Sequence, residues 1–115
     1  MRMWMIDPSK MCRKHLLGEH LETHMFLGTI KNKISLLGYM KNNCVEPKSI
    51  ITRHQQLADE MIRRGYNHQS PIDLQLNELL SYLPTEVREY KVDTIASEKE
   101  LMSRCEECRK RIKEK

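Results

Sequence analysis

The chain has 115 residues and a mass of 13.7 kDa, which holds one domain with a core of its own. Lys and Arg number 20 against 16 Asp and Glu, the hydrophobic share is 39%, and there are four glycines and four prolines, so collagen-like and Pro/Gly-rich disordered classes are excluded. The longest apolar run, residues 34–40, is too short to span a bilayer, and MRMWMIDPSK turns polar too early for a secretory leader; a soluble intracellular protein with no membrane partner is expected.

In chain order, Asp7-Pro8 pairs a capping side chain with a proline suited to a first turn. It predicts a helix from there to about residues 31–33, broken or bent near Gly28. Residues 38–47 read as a loop. Ser49 opens a second helix with Ile50, His54, Leu57 and Met61 on one face, and Gly65 stops it. Residues 71–83 hold a short Leu-rich helix that Pro84 ends. Ser97-x-x-Glu100 is a capping box ahead of a last helix whose end is strongly basic. No alternating stretch demands a strand. The expectation is an all-α fold, a single compact domain over residues 1–115 with three to four helices.

Charge is unevenly placed. Residues 1–33 carry six bases and three acids, residues 34–103 eight and ten, and residues 104–115 six and three. Basic ends around an acidic middle suit a polyanion if the fold joins them. Cys105 and Cys108 fall in the series Leu101, Cys105, Cys108, Ile112, the apolar stripe of one helix, while Cys12 and Cys44 are solitary. Reduced thiols and no metal are the expectation.

The first helix holds the candidate chemistry. His15, Glu19, Glu22 and Phe26 share one face, and Leu17, Leu21 and Met25 lie on another side, taken as the core side. A histidine and carboxylates on one face can make an acid/base site or a solvated stripe. His20 and His24 are spaced to share a metal, but Glu22 points about 200° away from His20 and cannot join them. There is no Gly-rich phosphate loop, Gly-x-Ser-x-Gly elbow or dinucleotide fingerprint.

The stretch RKHLLGEHLETHMFLGTI, residues 13–30, resembles the pyrimidine-dimer DNA glycosylases of the phage endonuclease V type, with His15-Leu16, Glu19, Glu22 and Gly28 in register. RHQQLADEMIRRGYN, residues 53–67, resembles that family's second helix and following turn, and Met1-Arg2 aligns with its mature start. The resemblance implies a small, helical, metal-free, cofactor-free and monomeric enzyme acting on damaged double-stranded DNA. It implies a place in the cytoplasm or nucleoid and a viral or prokaryotic origin. Such enzymes excise a base and then cut the strand at the abasic sugar. The α-amine of Met1 would be the nucleophile and Glu22 the essential carboxylate, with Arg2 beside the amine and His15 on the substrate; Lys14 is expected, by its charge, to join Arg2 on DNA phosphates.

The residue types suit that reaction. An α-amine has a reference pKa of about 7.8 against about 10.4 for Lys, so it is a ready nucleophile at neutral pH. Its attack on C1′ gives an imine, and a carboxylate beside it stabilises positive charge on the sugar and moves protons. The bulky Arg2 should keep Met1 from being removed. The chain departs from the family at Leu21 and Met25, where arginines contact DNA, and in its RKRIKEK tail, which lacks the aromatic residues of lesion recognition. Two alternatives therefore stand beside the dimer glycosylase: a glycosylase for another modified base, and a non-catalytic helical DNA-binding protein.

Overall fold

The computed structural model describes residues 1–67 and 76–114. Among these are seven α-helices and no strand: α1 (Arg13–Lys31), α2 (Leu37–Lys41), α3 (Ile50–Arg63), α4 (Leu76–Leu80), α5 (Thr85–Arg88), α6 (Thr94–Arg104) and α7 (Glu106–Glu114). The all-α expectation holds, but the count of three to four helices is too low. α2, α4 and α5 are single turns, too short for a helical period to show in sequence. No helix among the described residues is long and apolar enough to cross a membrane.

Several boundaries differ for identifiable reasons. Asp7 caps only a 3-10 turn, Pro8–Lys10, by accepting from the Ser9 N–H at 3.0 Å. Met11 then turns extended and is fully buried, so α1 starts only after Cys12, and it runs unbroken through Gly28. The expected loop at residues 38–47 contains most of α2. Of the helix expected at residues 71–83, residues 71–75 lie outside the described residues and the helix ends at Leu80; Pro84 instead caps α5. Asp93 rather than Ser97 opens α6, accepting from the N–H groups of Ile95 and Ala96 at 3.1 Å. Ser97 lies inside that helix, its hydroxyl donating to the Trp4 carbonyl at 2.6 Å. The second helix ends as expected, with Gly65 at φ +86°, a left-handed conformation that suits glycine.

α1 packs chiefly on α3. One core cluster gathers Phe26, Leu27 and Ile30 of α1 with Leu36, Val45, Ile50 and Val87; the other gathers Leu16, Leu57, Met61, Leu101 and Cys108. The N-terminal segment runs between them, placing Met3 in the first and Trp4 and Ile6 in the second. Backbone bonds hold it there: Met3 N–H donates to the Cys44 carbonyl at 2.7 Å, and the Ile6 carbonyl accepts from Arg53 at 2.7 Å. The assignment of Leu21 and Met25 to the core side is overturned. They are 60% and 47% exposed, whereas Glu19, His20 and Thr23 face inward with Leu16 and Phe26.

The inward turn of a carboxylate is explained by Arg53. Its guanidinium donates to both Glu19 oxygens, at 2.6 and 3.0 Å, with both side chains buried. Removing one partner leaves a buried charge without compensation, at a cost of about 3–5 kcal/mol. Arg53→Leu should lower the unfolding free energy by that amount in urea denaturation at pH 7. A loss under about 1 kcal/mol would show that the pair is not structurally important.

Candidate active site at the N-terminus

A pocket of about 400 Å³ opens where the N-terminal segment crosses α1. Met1, Glu22, His15, Lys14 and Gly18 line it, together with Arg2, Trp4 and Arg104. A neighbouring pocket of about 410 Å³ shares Met1, Arg2, Cys44 and Arg104 and continues towards Tyr39 and Asn42.

The α-amine of Met1 lies 4.0 Å from Glu22 Oε1, within ion-pair distance. The amine is held by its neighbours, because Met3 and Trp4 are bonded through their backbones and Arg2 is packed. The Arg2 guanidinium sits 4.6 Å from the Trp4 ring centroid, and its Nε donates to Cys44 Sγ at 3.2 Å. Trp4 in turn meets His15 edge-on at 5.9 Å between centroids. Burial raises the Glu22 pKa above the ordinary carboxylate value, with the nearby Glu19 charge adding to it. The Met1 amine, the Arg2 backbone N–H and the Arg2 charge oppose that rise without cancelling it. A carboxylate raised in this way gives up its proton less readily than an exposed one.

All five residues singled out in the sequence line one pocket: Met1, Glu22, Arg2, Lys14 and His15. Glu19, on the same helix face, also borders it but is engaged by Arg53. Arg104 was not singled out by sequence reasoning beyond the basic end of the chain. It comes from α6 and pairs with Glu100 at 2.7 Å. Within the basic tail, Arg109 and Arg111 donate to the carbonyls of Met102 and Ser9, so part of that charge serves the fold.

Residues 1–74 match the family model described as pyrimidine dimer DNA glycosylase. The chain belongs to the pyrimidine dimer DNA glycosylase family. No curated protein and no solved structure gives a significant match. The match spans the whole N-terminal segment, α1 and α3, and so includes every residue of the amine–carboxylate pair and its cationic neighbours except Arg104. A DNA-acting family accords with a pocket flanked by Arg2, Lys14 and Arg104.

Two clusters of potential ligand side chains stand out among the described residues, one of which shares His15 with this pocket. His54 of α3 joins His20 and His24, with 3.1 Å between the Nε2 atoms of His54 and His24. Cys12, read from sequence as solitary, has Cys105 Sγ at 3.8 Å and the His15 Nδ1 at 3.2 Å. Nor do Cys105 and Cys108 continue one helix: Cys105 is extended and separates α6 from α7. Burial, with the charges of Lys14 and Arg104, lowers the His15 pKa and keeps the ring neutral at physiological pH.

The raised Glu22 pKa has a consequence for stability. The folded state holds that proton more tightly than the unfolded chain, so stability falls as pH rises from the ordinary value of 4.5 through the raised one, and the loss persists at pH 7. Glu22→Gln removes it. The variant should melt at a higher temperature than the parent at pH 7, with the difference closing below about pH 4. A variant less stable than the parent at pH 7 would contradict the net desolvation of Glu22.

Proposed function

We propose that this family member is a bifunctional DNA glycosylase and abasic-site lyase whose nucleophile is the α-amine of Met1. The reading rests on one observation, the approach of that amine to the half-buried Glu22 carboxylate inside a pocket with cationic walls. The substrate is damaged double-stranded DNA, with a pyrimidine dimer as the lesion that the family description favours. The damaged nucleotide must leave the stack to bring C1′ to the amine, and a lesion that weakens stacking lowers that cost.

The amine nitrogen attacks C1′, the glycosidic bond breaks, and the base leaves with a proton. Glu22 stabilises the positive charge that builds on the sugar, then moves the proton needed to open the ring into an imine. Removal of a C2′ proton expels the 3′ phosphate by β-elimination, and water releases the amine. Arg2 and Lys14 hold neighbouring phosphates, and His15 offers a donor to the same backbone. The protein acts as a monomer in this scheme, with every group drawn from one chain.

Borohydride added during incubation with abasic DNA should trap a covalent adduct through Met1, identified by mass. Glu22→Gln should abolish cleavage while leaving DNA binding nearly unchanged. One residue added before Met1 displaces the amine by up to about 3.5 Å, beyond the roughly 3–3.5 Å that attack requires, and should cost orders of magnitude in rate. Full activity with an intact extension would overturn the assignment. The exposure of Leu21 and Met25, where the family carries DNA-contacting arginines, favours a second reading as a DNA-binding protein without chemistry. The absence of any borohydride adduct would decide for it.

Affinity gives a separate test. Lys14→Gln and Arg104→Gln should each weaken binding to all sequences alike and reduce the salt dependence by about one unit in log–log slope. An unchanged slope would remove that residue from the phosphate grip.

A further inference from the structure

The thiols of Cys12, Cys105 and Cys108 and the imidazole of His15 converge from opposite ends of the chain. One ligand-type atom from each lies within 4.8 Å of all the others. Cys12 Sγ is 3.2 Å from His15 Nδ1 and 3.8 Å from Cys105 Sγ, and Cys108 Sγ is 3.7 Å from the same Nδ1. A tetrahedral zinc ion, with bonds of about 2.3 Å to sulfur and 2.0–2.1 Å to nitrogen, requires S···S edges of about 3.8 Å and S···N edges of about 3.6 Å. These three separations match the corresponding edges of that tetrahedron to within about 0.4 Å, and the remaining three lie within 4.8 Å.

The backbone supports the same reading. Cys12 caps α1 and His15 lies in its first turn; Cys105 immediately precedes α7 and Cys108 lies in its first turn. Each pair is thus a two-residue-spaced corner at a helix start, the spacing that structural zinc sites use. Backbone N–H groups point at all three sulfurs: His15 to Cys12 at 3.5 Å, Cys108 to Cys105 at 3.4 Å and Cys12 to Cys108 at 3.2 Å. Such donors stabilise thiolates, the form that ligates metal. A disulfide does not explain the group, since 3.8 Å is far from a bond of about 2.05 Å. Four ligand atoms so close together enclose a single ion, whereas an iron–sulfur cluster would have to push them apart.

We propose that Cys12, His15, Cys105 and Cys108 form a structural Cys3His zinc site that fastens α6 and α7 to the start of α1. All four coordination positions come from the protein, so no position is open for water and the ion takes no part in the reaction. Zinc binding displaces the thiol protons to solvent. Ligation through Nδ1 leaves the proton of His15 on Nε2, which fixes the ring as a neutral donor at the edge of the pocket. Arg104, one residue before Cys105, is held at the same wall. The proposal is independent of the amine chemistry, and its test does not use activity.

The full chain, purified without chelator from zinc-supplemented culture, should contain about one zinc per molecule by elemental analysis. Cys44→Ser should keep it, while Cys12→Ser and Cys108→Ser should lose most of it. Replacement by cobalt in the wild-type chain should give thiolate-to-cobalt charge-transfer absorption, and stripping the metal should lower the melting temperature until zinc is restored. These two readouts do not depend on whether the serine variants fold. Wild-type protein with less than about a tenth of an equivalent of zinc and no charge-transfer band would overturn the proposal. So would full zinc retention by a Cys105→Ser/Cys108→Ser double variant, which would place the ion at His20, His24 and His54.

Discussion

The buried pair between Glu19 and Arg53 decides which way the first helix faces. With the Glu19 carboxylate neutralised by two hydrogen bonds from α3, the polar side of α1 can turn inward, and Leu21 and Met25 are left outside. The same guanidinium donates to the Ile6 carbonyl, so one side chain joins α1, α3 and the N-terminal segment. That junction sets where the first residue of the chain arrives. Glu22, one turn beyond Glu19 on the same face, therefore meets the α-amine.

The pocket at the N-terminus inherits its electrostatics from this arrangement. Glu22 is partly desolvated and lies near a second carboxylate, which would ordinarily be avoided in a protein core. The fold tolerates it because the neighbouring Glu19 is already paired and because the amine and the Arg2 backbone N–H partly offset the burial. A half-buried carboxylate next to an amine is a poor stabilising contact, and in the proposed reaction that same desolvation would suit Glu22 to proton transfer. The cations around it come from both ends of the chain, Arg2 and Lys14 from the start and Arg104 from α6. The two basic termini thus meet at one surface, which is what a polyanionic ligand requires.

The thiol and imidazole group beside the pocket belongs to the same construction. It ties the start of α1 to the break between α6 and α7, and Ser97 and Arg111 add bonds from those helices to Trp4 and Ser9. The C-terminal helices thereby act as a clamp behind the N-terminal segment. The N-terminal segment would otherwise be subject to the fraying that most termini show.

The sequence alone determined the helical class, the presence of α1 and α3 and the glycine stop at Gly65, and family resemblance singled out Met1, Arg2, His15 and Glu22. These features are written in spacings of three or four residues or in one contiguous register, where periodicity and alignment operate. What it could not determine were contacts whose partners are far apart. Glu19 reads as part of an acid/base site or a solvated stripe until Arg53, 34 residues away, is beside it. Cys12 reads as solitary until Cys105, 93 residues away, reaches it. Ser97 reads as a cap until the Trp4 carbonyl takes its hydroxyl. Tertiary structure alone decided which polar groups are buried, because burial of a charge or a thiol depends on a compensating partner that local pattern does not carry.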